Sequence, residues 1–297
     1  MMKVHLVDGT YELFRYHFAL PSHLTPSGRE VAATRGVVGT VLSMLEQGAT
    51  HVAVATDHVI ESFRNDLWPG YKSSAGVEAA LLQQFPLVED ALEAAGVTIF
   101  PMVEFEADDA LGAAAVVAAA DERVEQVLIC TPDKDLGQCV GGKVVQLDRR
   151  RNTVSGPAEV QAKFGVEPES IPDYLALVGD SADGFPGLSG WGAKSAAAVL
   201  ARYLHLESIP STADEWDGLE VRNASKLALT LRTGFEQAML FRRIATLELD
   251  APVMGSVDDL AWSGPTARFP ALCAEIDAPD LARRAEAIRD QAKDGRA

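Results

Sequence analysis

Three cysteines in 297 residues, Cys130, Cys139 and Cys273, form no CxxC pair and cannot all be bridged. That disfavours a disulfide framework or a zinc finger and makes a reducing compartment the expected setting. Long apolar runs are missing as well. The longest, residues 113–120, is alanine-rich and too short to cross a bilayer. Residues 1–8 hold no basic stretch followed by an apolar one, so no secretory signal is read. The expectation is a cytoplasmic protein with no membrane contact. Positive charge is also scarce: 26 Lys+Arg face 43 Asp+Glu, a net charge of −17. Such acidity argues against a sequence-blind, high-affinity coat for nucleic acid. It does not exclude a nuclease, because mean charge is silent on where the carboxylates sit.

What is present is a globular chain. Its length suits one large domain or two modest ones, and no internal repeat is visible. In the first half, short apolar runs at 4–7, 52–55, 97–100, 127–130 and 144–147 alternate with helical patterns at 31–47, 76–95 and 108–120. Runs apolar on both faces and separated by helices predict an α/β fold with a parallel sheet covered by helices. From about residue 166 the texture changes. Residues 167–178 read as helix, a glycine-rich run follows, and 193–203 is a strong helix pattern. The remainder reads as mostly helical and polar.

Ligands of parallel sheets bind beyond the carboxyl ends of the strands. Asp8, Asp57 and Asp133 fall there. One such Asp is commonly a turn or helix cap; three from three strands point to a shared site. The densest signal is Glu106-Ala107-Asp108-Asp109 at a helix start. A helix dipole accounts for one or two of these acids, but three in four residues repel unless a cation neutralises them. Asp133-Lys134-Asp135 and Gly179-Asp180-Ser181-Ala182-Asp183 repeat the theme. The candidate ligands are thus Asp8, Asp57, Glu106, Asp108, Asp109, Asp133, Asp135, Asp180 and Asp183. Oxygen donors without His or Cys suit hard ions, Mg²⁺ or Mn²⁺. Two or three such ions fit phosphoryl chemistry, in which paired metals stabilise attacking and leaving oxygens.

Val7-Asp8-Gly9, Phe63-Arg64 with Tyr71-Lys72, Glu106-Ala107-Asp108-Asp109, Asp133-Lys134-Asp135 and Gly179-Asp180-Ser181-Ala182-Asp183 occur in that order. Together they resemble the signature set of the 5′-nuclease family, which includes bacterial flap endonucleases and the 5′→3′ exonuclease domain of DNA polymerase I. The resemblance covers roughly residues 3–250. It implies a PIN-like nuclease core over 1–165 with a helical arch at about 62–85. A helix-three-turn-helix DNA-binding element and helical C-terminal part would then occupy 166–297. It implies Mg²⁺- or Mn²⁺-dependent phosphodiester hydrolysis at 5′ flaps and single-strand/duplex junctions, with DNA bearing a 5′ flap or overhang, and RNA primer segments, as partners. No polymerase part is visible, so a stand-alone monomeric enzyme is expected.

In that family the stretch matching 63–84 forms the arch, and Arg64 and Lys72 match basic residues that reach the scissile phosphate. A further arginine is common beyond the Tyr-Lys pair; here Ser73-Ser74-Ala75-Gly76 carries no charge. Arg15 and Arg35 are candidates to compensate. Gly187-Leu188-Ser189-Gly190-Trp191-Gly192-Ala193-Lys194-Ser195 reads as a hairpin opening a helix. Glycines there let backbone amides approach phosphate, and the helix start favours anions. Gly190, Gly192, Lys194 and Ser195 are the DNA-backbone candidates, and the resemblance implies a K⁺ ion at the hairpin. Trp191 is read as packing, Arg149-Arg150-Arg151 as a solvated turn, and His58 as having no catalytic part. Tyr11 is a lesser candidate for base stacking. Two rival classes remain: a non-catalytic junction-binding protein, and a PIN-type ribonuclease lacking arch and hairpin.

Overall fold

The computed structural model describes residues 2–216 and 218–294. The first half contains β1 (Met2–Asp8), α1 (Gly9–Ala19), α2 (Ala32–Glu46), β2 (His51–Asp57), α3 (Phe63–Leu67), α4 (Ala79–Leu82) and α5 (Gln84–Ala94). Then come β3 (Thr98–Met102), α6 (Ala107–Ala120), β4 (Val124–Cys130), β5 (Val144–Asp148) and β6 (Thr153–Ser155). Helices α7 (Pro157–Phe164), α8 (Ile171–Val178), α9 (Ala193–Tyr203), α10 (Ala224–Thr233), α11 (Phe235–Ala245), α12 (Phe269–Glu275) and α13 (Pro279–Asp294) complete the chain. No helix among the described residues is long and apolar enough to cross a membrane.

The chain divides into two compact units. One comprises 1–60, 74–131 and 249–297; the other comprises 61–73 and 132–248. This division differs from a cut at 165/166. The segment 61–73 and residues 132–165 pack with the second unit, and α12 and α13 return to the first.

In the first unit β1 lies between β2 and β4, all parallel, with β3 outside β2. Leu6 pairs with Ala53 on one side and Ile129 on the other. Val4, Leu6, Val7, Val52, Val54, Val127 and Ile129 are buried because helices cover both faces. The strand order reverses at β1, the kind of switch point beyond which parallel sheets generally bind ligands. Gly9 lets α1 start hard against β2: a Cβ there would come within 2.6 Å of Val54 Cγ1 and 2.8 Å of the Ala55 carbonyl oxygen. At the C-terminal end, α13 packs on α2 and α12 on α5, and Arg284 pairs with Glu46 at 2.9 Å.

The second unit holds the antiparallel β5–β6 hairpin, in which Leu147 pairs with Val154. Its core gathers Leu175, Leu177, Phe185, Trp191, Val199, Leu200, Phe241 and Ile244. Helix α8 packs on α9 and α11. The buried Asp173 carboxylate of α8 accepts from the Leu206 N–H at 3.1 Å, His205 Nδ1 at 3.0 Å and Arg242 Nη1 at 3.2 Å.

The stretch 62–85, expected as a helical arch, carries two short helices, α3 and α4; residues 68–78 are turn and coil. Pro69, Gly70 and Gly76 lie in the gap, and each disfavours continued helix. The expected helix 76–95 begins later and breaks between α4 and α5. Pro86 has no N–H for the Leu82 carbonyl, which weakens the ladder at that point.

Candidate active site

The first unit sets its acids at element ends. Asp8 closes β1 and caps α1: Oδ1 accepts from the Tyr11 N–H at 2.7 Å, and Oδ2 accepts from Thr131 Oγ1, just past β4, at 2.9 Å. Asp57 closes β2, and its Oδ1 accepts from the Ala107 N–H at 2.7 Å, the first amide of α6. Thr10 Oγ1 accepts from the Asp57 N–H at 2.8 Å. Asp109 is wholly buried, and its Oδ2 accepts from the Glu106 N–H at 2.9 Å. Asp8, Asp57 and Glu106 are also buried, while Asp108 is half-buried. Capping therefore accounts for one oxygen of each of Asp8, Asp57 and Asp109. It does not account for five carboxylates at two helix starts, where each further negative charge costs desolvation and repulsion.

The second unit holds the other four. The loop between Asp180 and Phe185 is closed by two backbone hydrogen bonds, Asp180 N–H to the Phe185 carbonyl at 2.8 Å and Phe185 N–H to the Asp180 carbonyl at 3.0 Å. Gly179 opens this loop at φ +82°, and a Cβ there would lie 2.4 Å from the Pro186 carbonyl carbon. The result brings Asp180 and Asp183 to Asp135, with one oxygen from each of the three within 4.8 Å of the others. Asp133, exposed, accepts the Asp135 N–H on Oδ1 at 3.0 Å.

Asp135 is the least satisfied member. Its Oδ1 is buried with no hydrogen-bond partner. Burial, then the charges of Asp133, Asp183 and Asp180, push its carboxyl well above the usual carboxylate range, and Lys134 pulls it back. A buried carboxylate oxygen without a donor, facing two further carboxylates, is a donor set that fits a hard divalent cation.

Two lysines partly neutralise the group. Lys134 Nζ lies 2.5 Å from Asp180 Oδ2. Burial alone would lower its ammonium, but Asp180, with Asp135 and Asp133, raises it above its ordinary value. Lys72, expected at the arch, sits 3.4 Å from Asp183 Oδ1, and its N–H donates to the Asp183 carbonyl at 3.0 Å. Sequence reasoning assigned no role to Lys134, although its place between Asp133 and Asp135 was a usable signal. It also passed over Thr10 and Thr131, which orient Asp57 and Asp8; a hydroxyl leaves no such mark in a sequence.

Arg64 is turned inward rather than toward solvent. It is 2% exposed, and its Nε and Nη2 donate to the carbonyls of Ile244 at 2.8 Å and Thr246 at 3.1 Å. These are groups at the C-terminal end of α11, where a cation is favoured. Arg15 pairs with Glu12 and stacks on Tyr16 at 3.9 Å. Arg35 has a buried Nη1 without a hydrogen-bond partner. His58 Nδ1 meets Glu89 at 2.6 Å, and Thr56 Oγ1 donates to the same carboxylate at 2.7 Å.

The hairpin forms as the glycines suggest, with Gly187 at φ +67° and Gly190 at φ +86°. Gly192 caps α9, and its N–H donates to Ser195 Oγ at 3.1 Å. Trp191 is buried, its ring 6.1 Å from that of Trp216. In the turn after β5, the Arg150 and Arg151 N–H groups bond Asp148 at 3.0 and 3.1 Å.

Two family profiles match consecutive parts of the chain: "5′-3′ exonuclease, N-terminal resolvase-like domain" over residues 3–165 and "5′-3′ exonuclease, C-terminal SAM fold" over 166–268. DNA polymerase I of Bacillus caldotenax is 32% identical over 269 residues, covering 88% of this chain and 30% of that protein. The chain thus spans about 30% of the length of the polymerase relatives it matches. A 5′-3′ exonuclease of Buchnera aphidicola subsp. Schizaphis graminum is 29% identical, covering 84% of this chain and 87% of that protein. Among solved structures, T5 5′-exonuclease with bound zinc aligns at TM-score 0.65 and 20% identity, covering 97% of this chain and 98% of that one. That likeness shows the fold: a PIN-like sheet with helices, followed by a helical region.

Proposed function

The chain belongs to the 5′-3′ exonuclease family, and on that premise we propose that it is a divalent-metal-dependent, structure-specific 5′ nuclease. Its substrate would be DNA with a 5′ flap, a 5′ overhang or a single-strand/duplex junction, RNA primer segments included. Its products would be 5′-phosphate and 3′-hydroxyl ends, and its role flap and primer removal in replication and repair. The observation that carries this reading is Asp135, a buried carboxylate with an unpartnered oxygen beside Asp180 and Asp183.

Asp133, Asp135, Asp180 and Asp183 would hold one Mg²⁺ or Mn²⁺. Asp8, Asp57, Glu106, Asp108 and Asp109 would hold another; two or three ions suit this many acids. A bound divalent ion lowers the pKa of water and stabilises charge on phosphoryl oxygens, so no side chain is required as general base. The protein's own part is placement. The caps at Asp8 and Asp57 fix those carboxylates against helix starts, which limits their freedom before any ion arrives. Lys72 and Arg64 are the cations assigned to the scissile phosphate, offsetting charge on its non-bridging oxygens. For Arg64 this needs release of the Ile244 and Thr246 carbonyls. Gly190, Gly192, Lys194 and Ser195 would take the DNA backbone, with K⁺ at the hairpin; Arg15 and Arg35 would add contacts.

Asp135→Asn tests the assignment. Mn²⁺ titration of the substrate-free protein should lose binding, and flap cleavage should fall steeply. Wild-type metal affinity and turnover in that variant would remove Asp135 from the site.

A further inference from the structure

One buried carboxylate of the first unit stands outside the nine candidate ligands. Glu89 lies on α5 among the buried Phe85, Val88, Ala91 and Leu92. No Lys or Arg pairs with it among the described residues. A buried carboxylate costs desolvation that an apolar residue at the same place would not. The packing of α5 therefore does not call for it. Both of its oxygens are used: Oε1 accepts from Thr56 Oγ1 at 2.7 Å, and Oε2 meets His58 Nδ1 at 2.6 Å.

These two partners stand immediately before and after Asp57 in the chain. The sheet itself holds β2 only loosely there. Pairing with β1 ends at Asp8 and Ala55; beyond it β3 alone runs alongside, with Met102 opposite Asp57. Other hydrogen bonds take over. Thr10 Oγ1 accepts from the Asp57 N–H at 2.8 Å, and the Ala107 N–H donates to Asp57 Oδ1 at 2.7 Å. Successive residues of a strand face opposite sides of the sheet. Thr56 accordingly reaches α5, while Asp57 reaches the start of α6. Glu89 thus ties down both flanks of Asp57 from the face that the Asp57 carboxylate does not use.

We propose that Glu89 is a positioning residue for Asp57: through Thr56 and His58 it fixes the end of β2 so that the Asp57 carboxylate is presented to a divalent ion. The inference rests on the reading of Asp57 as a metal ligand, which belongs to the nuclease reading. Groups that orient a ligand commonly carry about 10- to 100-fold of metal affinity. Glu89 acts through two neighbours and not by direct contact, which puts it at the low end. Two other roles would mimic it, a negative charge felt at a distance and simple packing. Gln removes the charge, yet it still accepts from Thr56 and donates to the other tautomer of His58. Leu keeps the bulk and loses both bonds.

The test is calorimetric titration of the substrate-free full chain with Mn²⁺, run as a double-mutant cycle with Asp57→Asn. Glu89→Leu should weaken Mn²⁺ binding about tenfold, and Glu89→Gln should stay within about twofold of wild type. In the Asp57→Asn background Glu89→Leu should cause no further loss. Wild-type affinity in Glu89→Leu would overturn the proposal. An equal loss in Glu89→Gln would make Glu89 a distant charge, and an equal loss with and without Asp57 would make it a packing residue; either overturns the positioning role. Wild-type affinity in Asp57→Asn alone would do so as well. Should Glu89→Leu melt early, Thr56→Val decides. It cuts one of the two ties at similar shape and should weaken binding about threefold, through Asp57 only, with Thr56→Ser restoring it. No loss in Thr56→Val, or a loss that persists in Asp57→Asn, would overturn the proposal. The assay needs no DNA: a chain that follows this cycle yet leaves flap DNA uncut would defeat the nuclease reading and leave the role of Glu89 standing.

Discussion

Lys72 Nζ stands 3.4 Å from Asp183 Oδ1, while the Lys72 N–H holds the Asp183 carbonyl at 3.0 Å. One residue of the segment expected as an arch is thus tied by backbone and side chain to a candidate metal ligand. Trp68 Nε1 reinforces the tie by donating to the Gly184 carbonyl at 3.0 Å. Cation and carboxylate share a charge that a metal ion would also claim.

Lys72→Gln should therefore separate two effects. Without the competing ammonium, Mn²⁺ affinity of the substrate-free protein should rise a few-fold, read by calorimetric titration. Flap turnover should fall on the order of 10²-fold through loss of a cation at the phosphate. Unchanged metal affinity would remove the competition, and unchanged turnover would remove the phosphate contact.

Asp173→Ala should destabilise the protein by on the order of 3 kcal/mol. It removes a buried acceptor shared by the Leu206 N–H, His205 and Arg242. Arg242 keeps Glu207, its partner at 2.6 Å, so the loss falls mainly on Leu206 and His205. Urea unfolding measures it; a change below about 1 kcal/mol would mean that solvent replaces Asp173 cheaply.

Gly179→Ala should cost at least about 2 kcal/mol, combining a left-handed φ with a steric clash. The Cβ would sit 2.4 Å from the Pro186 carbonyl carbon, so the loop holding Asp180 and Asp183 must shift. Mn²⁺ affinity should drop along with the melting temperature. A variant that melts normally and binds metal normally would show that this loop tolerates rearrangement.

Cys273 should resist thiol reagents in the native state. Burial, with the charge of Asp280, pushes its thiol up to about 11, so almost no thiolate exists at neutral pH. Native-state labelling followed by mass spectrometry should leave Cys273 unmodified at neutral pH, with reaction rising only as pH approaches that value. Fast modification at neutral pH would contradict the burial of α12.

The parallel strands were legible because burial on both faces writes continuous apolar runs. Residues 4–7 foretold β1 and 127–130 foretold the end of β4, although β1 also takes in Met2 and Asp8. The strand β6 was missed: at three residues, two of them exposed, it carries no such run. The helix 193–203 was legible to the residue because glycines stop short of it and its apolar face is regular. The acids were visible as motifs, but their local partners were not. Lys134 on Asp180 and Thr131 on Asp8 are contacts made by folding, across 46 and 123 positions. The inward turn of Arg64 was hidden for the same reason, since its partners Ile244 and Thr246 are backbone carbonyls 180 and 182 positions away.

The most direct test of the nuclease assignment is product mapping on a nicked double-flap DNA, with and without Mg²⁺ or Mn²⁺, for wild type and Asp135→Asn. The predicted result is incision at the junction by wild type only when metal is present, leaving a 5′-phosphate on the duplex, and little product from the variant. Binding of the flap with no incision under any metal, or incision that ignores metal and Asp135 alike, would contradict it.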